Sequence, residues 1–363
     1  MLEGTRPSEK ELSLKLLVTG GAGYIGSHAA HQLLIEGHQV VVLDNLYSGH
    51  RWAVPEHARF VEGNVGDIVL VERVLCEEGI EAVLHFAAHV EVGESVADPV
   101  KYYRNNTVAS LGLFEACART GVERVIFSST AAVYGEPAGE PAGELVGEPG
   151  AEHGIGPGTS GALSETSPLR PVNPYGASKL MSEQMLADLS RASGGKLKFV
   201  ILRYFNAAGA RRDLRVGQST PRATHLVKIA AEVALGLRES LTVFGADYPT
   251  PDGTCLRDYI HIEDLVQAHI DALKYLEGGG QSDILNVGYG HASSVLEVIA
   301  AMERVSGCEI RTEKGARRAG DPSSVLSDNQ RIRRVLGWKP RFDDLDLICR
   351  TAFEWEKILH DRK

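Results

Sequence analysis

Apolar residues in the first two hundred positions fall into short unbroken runs, separated by longer stretches whose apolar positions recur with a helical period. The runs at 14–19, 39–43, 58–61, 81–86, 123–129 and 197–203 read as strands. The stretches 24–36, 67–78, 98–120 and 175–193 read as helices between them. Strand and helix in regular alternation predict an α/β fold, a doubly wound parallel sheet covered on both faces. After Arg203 the pattern changes to helical segments near 222–237, 263–277, 293–306 and 329–336, separated by short strands and loops. That predicts a smaller C-terminal α/β lobe over the carboxyl edge of the sheet. The expected organisation is a tail over 1–13, a large domain over 14–205, and a second lobe over 206–363 that partly returns to the first near 257–262.

One stretch breaks the periodicity. From Glu136 to Ser167 the chain is rich in Gly, Pro and Glu, with glutamates at 136, 140, 144 and 148. That spacing suits one helical face, but Pro137, Pro141 and the neighbouring glycines oppose a helix. The segment reads as an acidic, solvated loop, more simply a tolerated surface insertion than a lid.

The first strand run, Leu14 to Thr19, leads directly into glycines at 20, 23 and 26. A buried strand followed by a glycine-rich turn and a helix is the arrangement that cradles a pyrophosphate: backbone N–H groups and the helix dipole face the anion. The spacing is G-x-x-G-x-x-G, and glycines alone are weak evidence. The second strand run adds weight because it ends in Asp44, twenty-four residues after Gly20. A carboxylate there accepts from a ribose diol and repels a 2′-phosphate, so NAD is expected rather than NADP.

The 363 residues, 43% hydrophobic and 24% charged, suit a soluble globular protein. Lys and Arg total 38 against 48 Asp and Glu, a formal charge of −10, with no basic run to track nucleic acid. An anionic small substrate therefore needs its own local arginines. Five scattered cysteines without paired metal spacing fit a reducing compartment, and no metal is expected at His28 and His31 or at His85 and His89. The first thirteen residues lack an apolar core, and no later segment reaches eighteen uninterrupted apolar residues. A cytoplasmic protein without membrane contact is expected.

The candidate chemistry lies in Phe127 to Gly135, which contains Thr130, and in Asn173 to Lys179. Tyr175 and Lys179, four apart on a helix, share a face, so the ammonium is expected to favour a phenolate and make Tyr175 a general base. Thr130 supplies a hydroxyl to orient a reacting sugar or ketone oxygen. A Tyr-x-x-x-Lys pair alone is commonly just a surface pair. Here it follows a nucleotide-binding turn, an Asp at the end of the second strand and a Ser/Thr-rich strand end, in that order.

That order resembles the extended short-chain dehydrogenase/reductase family, with its Rossmann cofactor domain. The segments Val18–His28, Leu43–Leu46, His85–Ala88, Val92–Ser95, Leu202–Asn206, Val243–Thr254 and Arg257–His261 narrow the resemblance to the family's UDP-glucose 4-epimerase branch, over about 14–358. The resemblance implies a Rossmann domain over 14–205 that holds NAD and a nucleotide-sugar lobe beyond it. The NAD site would comprise Gly20, Gly23, Tyr24, Ile25, Gly26, Asp44, Asn45, Asn64, Val65, Phe86, Ala87, Asn105, Tyr175, Lys179 and Tyr204. A UDP-sugar would meet Thr130, Tyr175, Asn206, His225, Leu226, Phe244, Arg257, Tyr259, Arg318 and Asp321. The implied reaction is reversible C4 epimerisation of UDP-glucose and UDP-galactose through a 4-keto sugar. A homodimer built on helices 98–120 and 175–193 is implied as well.

Several positions depart from the commonest pattern of that branch. Thr130 stands in place of serine, Asn64 in place of aspartate, Val90 in place of a lysine that contacts the cofactor, and His225 in place of asparagine. Val325, four residues after Asp321, occupies the position that gates bulky 2-substituents and is smaller than the tyrosine of strict members, which extends the expectation to UDP-N-acetylhexosamines. Ala131 and Ala132 stand where a 4,6-dehydratase carries its Asp-Glu pair, which argues against dehydration. A UDP-pentose 4-epimerase and a non-catalytic NAD or nucleotide-sugar binding protein are the alternatives. The intact Thr130, Tyr175 and Lys179 disfavour the second.

Overall fold

A computed structural model describes residues 13–135, 161–220, 224–318 and 321–362. Most of the expected acidic loop and the tail lie outside the described residues. Six strands fall where unbroken apolar runs predict them: β1 (Lys15–Thr19), β2 (Gln39–Asp44), β3 (Arg59–Glu62), β4 (Ala82–His85), β5 (Arg124–Thr130) and β6 (Lys198–Tyr204). A seventh strand, Asp283–Val287, pairs with β6. The sheet runs Asp283–Val287, β6, β5, β4, β1, β2, β3, and every pairing is parallel. Both faces are covered, because Leu16 and Val18 point into one core cluster while Leu17 points into the other. Side chains of a strand alternate between faces, so this division follows from the pleat.

The helices are α1 (Tyr24–Ile35), α2 (Ile68–Glu78), α3 (Val92–Ala97), α4 (Pro99–Tyr102), α5 (Ala109–Thr120), α6 (Pro174–Ala192), α7 (Leu226–Ala234), α8 (Ile262–Glu277), α9 (Val295–Ser306), α10 (Gln330–Leu336) and α11 (Leu345–Asp361). The stretch expected as one helix over 98–120 is α4, a π-helical turn at Tyr103–Val108, and α5. In that turn Asn106 bonds the backbone of His89 in both directions and donates to Ser178 Oγ at 3.1 Å, so its side chain ties the wide turn to α6. The helix expected over 222–237 is shorter, Leu226–Ala234. C-terminal α11, capped by Asp344 and burying Ile348, Phe353, Trp355 and Leu359, completes the fold.

The chain after β6 forms short strand pairs beside the carboxyl edge: Asn206–Ala208 with Tyr259–His261, and Ser324–Val325 with Leu256–Arg257, both parallel. Within residues 161–167, the end of the expected loop, Leu163 and Glu165 are anchored. Leu163 is buried and bridges to Ser327, and Glu165 accepts from the Asn286 backbone at 2.8 Å. Among the described residues no helix is long and apolar enough to cross a membrane, and no group of three or more His, Cys, Asp or Glu side chains is placed to hold a metal ion.

Candidate active site

A cavity of about 420 Å³ opens along the carboxyl edge of the sheet, within the usual range for small-molecule sites. One end is the glycine turn. Gly20 has φ +70°, a left-handed backbone that favours glycine, and a Cβ there would meet the Ala87 backbone nitrogen at 2.6 Å. A Cβ on Gly26 would collide with the Gly20 carbonyl oxygen. The glycines thus let β1, α1 and the end of β4 close on one another. No side chain caps α1, and Tyr24, Ile25 and Gly26 line the cavity, so the amides of its first turn are available to an anion.

Asp44, buried at the end of β2, accepts from the Ala22 amide at 2.9 Å through one oxygen and from Leu46 at 2.8 Å through the other. Each oxygen keeps a free lone pair for a diol. Burial pushes the Asp44 pKa up, and the two amide bonds pull it back. Asn45, Asn64, Val65, Phe86, Ala87, Asn105 and Tyr204 line the same cavity. Asn64 accepts from the Gly66 amide at 2.8 Å, which holds its side chain in place. Val90 also lines the wall. An uncapped helix, a steric cradle without Cβ atoms and a buried carboxylate are the donor and acceptor set that NAD requires, and the residues fit it.

The middle of the cavity carries Thr130, Tyr175 and Lys179, brought together by β5 and α6. Asn173 caps α6, accepting from Gly176 at 2.9 Å, and Pro174 occupies the first helical position, so the helix starts where Tyr175 must face the sheet edge. A Cβ on Gly176 would meet the Ala132 carbonyl oxygen at 2.5 Å, and this contact seats α6 on the end of β5. Tyr175 is buried, with the hydroxyls of Thr130 and Tyr204 near enough to act on its phenol.

The electrostatics differ from the sequence expectation. Burial raises the Tyr175 pKa, and the Thr130 and Tyr204 hydroxyls only partly oppose it. Lys179 instead donates to the Ser128 carbonyl at 2.8 Å and lies over the Phe127 ring at 4.7 Å. Desolvation brings its pKa down to about 7, with Glu183, one turn further along α6, acting to raise it. Shared helical spacing places the pair. Burial decides the sense of the shifts, and burial is not visible in the spacing.

The far end holds Asn206, His225, Arg257, Asp321 and Val325. Asn206 and Tyr259 face each other in register, and the Asn206 amide donates to the Asp258 carbonyl at 2.9 Å. Arg257 pairs with Asp321 Oδ1, and Arg318 donates to Asp321 Oδ2 at 2.8 Å while covering the Phe244 ring at 4.9 Å. Four residues expected at the substrate do not line the cavity: Leu226, Phe244, Tyr259 and Arg318. Arg318 and Phe244 engage each other at its edge, Tyr259 lies in the strand pair behind Asn206, and Leu226 opens α7. Sequence reasoning missed Tyr47, Ser48, Gln218 and Thr220, which also line the wall. Tyr47 and Ser48 follow Asp44 closely enough to be inferred from it. Gln218 and Thr220 carry no motif.

The fold and the cavity together define a dinucleotide-binding α/β protein with a tyrosine, lysine and threonine beside the cofactor cradle. Residues 16–288 match the NAD dependent epimerase/dehydratase family. The chain belongs to that family. It is 48% identical over 347 residues to the UDP-glucose 4-epimerase of Azospirillum brasilense, covering 96% of this chain and 93% of the relative. The crystal structure of UDP-glucose 4-epimerase from Brucella ovis in complex with NAD superposes with a TM-score of 0.85 at 41% identity, covering 94% and 98% of the two chains. The UDP-Glc/GlcNAc 4-epimerase from Campylobacter jejuni gives a TM-score of 0.79 at 48% identity, covering 95% of this chain and all of that one, 100%.

Proposed function

We propose that this protein is an NAD-dependent isomerase that interconverts UDP-glucose and UDP-galactose by epimerisation at C4. The observation that carries the reading is the convergence of Tyr175, Thr130 and Tyr204, with Lys179 one turn along α6, in one cavity between the glycine cradle and Arg257. Similarity to UDP-glucose 4-epimerases over nearly the whole chain supports it.

Residues 14–205 hold the cofactor in this reading, and 206–363 hold the nucleotide sugar. The amides of the first turn of α1 take the pyrophosphate, Asp44 and Asn45 the adenosine ribose, and Asn64 and Val65 the adenine. Phe86, Ala87, Asn105 and Tyr204 surround the rest. Bound NAD supplies a cationic acceptor that takes the C4 hydrogen as hydride and later returns it, so no net redox change occurs. Tyr175 takes the proton of the C4 hydroxyl and gives it back after the other face is presented. Thr130 orients the C4 oxygen, the Thr130 and Tyr204 hydroxyls lower the cost of the phenolate, and Lys179 holds the end of β5 through the Ser128 carbonyl. Arg257 and Arg318 neutralise the substrate diphosphate, with Asn206 beside them. Asp321, which now joins the two arginines, turns toward the nucleotide. His225 and Leu226 bound the uridine end with Phe244 and Tyr259. Ala131 and Ala132, directly after Thr130, carry neither an acid nor a base, which separates epimerisation from dehydration.

Incubating the purified protein with UDP-galactose and NAD, with no other oxidant added, is expected to yield UDP-glucose, and no conversion rejects the reading. Val325 on the cavity wall, and a UDP-Glc/GlcNAc 4-epimerase at 48% identity, favour turnover of UDP-N-acetylhexosamines as well. The protein acts in the cytoplasm as a homodimer on this reading. Val96, Val100, Val108, Leu111 and Met181, all exposed on or beside α3 to α6, form the contact.

A further inference from the structure

An epimerase that borrows and returns one hydride has to keep its dinucleotide between turnovers. We infer that residues 216–220 form a strap that retains the bound dinucleotide, and that His50 is the positioning residue fastening it to the glycine turn. The inference rests on the NAD-dependent reading above.

Gln218 and Thr220 of the strap, and Ser48 opposite, line the cavity. His50 joins the two sides. Its amide donates to the Ala22 carbonyl inside the glycine turn at 2.9 Å, and its ring Nε2 lies 3.0 Å from the Ser219 carbonyl, to which it donates as the Nε2–H tautomer. A Cβ on the preceding Gly49 would meet the Ala22 backbone at 2.7 Å, so this segment lies directly on the turn.

The strap is held from behind by α7 and α11. Trp355 Nε1 and Lys228 Nζ both donate to the Gln218 carbonyl at 3.3 Å, and Lys228 is itself paired with buried Glu356 at 2.6 Å. Gly217 lies flat on the Trp355 ring, where a Cβ would collide with it. His50 stacks on Trp52 at 5.2 Å, and Trp52 lies 5.8 Å from Trp355. The strap is thus anchored to α7 and α11, and among the described residues its hydrogen bond to the cofactor side is the one from His50 to Ser219. His50 itself does not line the cavity.

The test is the rate at which purified full-length protein loses bound NAD on dilution, followed by enzymatic cycling of the released dinucleotide. His50→Phe keeps the ring on Trp52 and deletes the donor. It is expected to lose NAD about fivefold faster, the worth of one hydrogen bond to a backbone carbonyl, with KM for added NAD raised in proportion and kcat at saturating NAD unchanged. Gly217→Ala, which pushes the strap off Trp355, is expected to do the same. His50→Gln, which can place an amide donor in the same spot, restores retention. Loss of NAD from His50→Phe at the wild-type rate overturns the inference, as does a fall in kcat with retention unchanged, or a His50→Gln variant no better than His50→Phe. Wild-type protein that neither carries nor requires NAD overturns the functional reading itself, a separate result.

Discussion

Lys179 Nζ donates to the carbonyl oxygen of Ser128 at 2.8 Å, which fixes the amine on the β5 side of α6 behind Tyr175. The pKa of this buried amine falls to about 7 from an ordinary value of 10.5 because desolvation outweighs the raising effect of Glu183. The unfolded chain therefore binds more protons than the folded one between those two values, and stability rises with pH across that window. Below it, the full cost of burying the charge is present. Lys179→Met removes that cost. Urea denaturation at pH 6.5 and 9.5 is expected to show a smaller gain in stability with pH for the variant, by on the order of a few kcal/mol. An identical gain in both proteins would place the ammonium in water.

Tyr175→Phe deletes the proton acceptor while leaving the ring against its neighbours. Turnover of UDP-galactose is expected to fall by about a hundred- to ten-thousand-fold, the range for loss of a general base. UDP affinity by calorimetry should stay within about twofold, because the nucleotide is held by other residues. A variant that turns over normally would move the base elsewhere.

Glu183 and Arg203 form a nearly fully buried pair at 2.7 Å, joined by Tyr134 and Ser129. Tyr134 in turn donates to Asn286 at 2.6 Å, and Asn286 donates to the Leu163 carbonyl at 2.7 Å, so both flanks of the acidic segment are tied to one polar network. Glu183→Ala leaves a buried guanidinium without its counter-charge, and a loss of about 3–5 kcal/mol in denaturant unfolding is expected. Conservative Glu183→Gln should lose less, because the amide oxygen still accepts.

What could be read from the chain, and what could not, divides along physical lines. β1 to β6 are legible to within about a residue: the inner strands are apolar runs because both sheet faces are buried, while edge strand β3 shows only Phe60 and Val61 between Arg59 and Glu62. Strand Asp283–Val287 is harder to read: Asp283 and Asn286 interrupt its run, and Asn286 is spent on the buried network with Tyr134. The helix over 98–120 reads as continuous because its period is preserved, while the π-helical turn is set by Asn106 reaching His89 and Ser178. The cofactor cradle and the spacing of Tyr175 and Lys179 are local and legible. The Tyr175 pKa and the bond from His50 to Ser219, 169 residues apart, depend on tertiary burial and have no local signature.

Asp44 is expected to select NAD against NADP by charge as well as by hydrogen bonding. Its carboxylate lies at the cavity wall, held by the amides of Ala22 and Leu46. Asp44→Asn keeps one acceptor oxygen and removes the repulsion of a 2′-phosphate. The ratio of NAD to NADP affinity should fall at least about tenfold, since like charges a few ångströms apart at a partly buried site cost more than one decade. Competition binding with the two dinucleotides measures it, and an unchanged ratio would show that shape, not charge, discriminates.

Val325 stands in register with Arg257 in a two-residue strand pair, so its side chain is held beside an arginine assigned to the diphosphate, on the wall of the cavity. A residue so placed limits the room for a substituent on the sugar without touching the groups that move the C4 proton. Val325→Tyr adds a ring to that wall. Turnover of UDP-N-acetylgalactosamine is expected to fall at least about tenfold, while UDP-galactose turnover stays within about threefold, because overfilling a pocket costs roughly 1–3 kcal/mol only for the ligand that needs the space. Parallel assays of the two substrates on wild type and variant give the ratio. Equal losses on both would mean that the tyrosine disturbs Arg257 and the strand pair, and that Val325 does not set the preference.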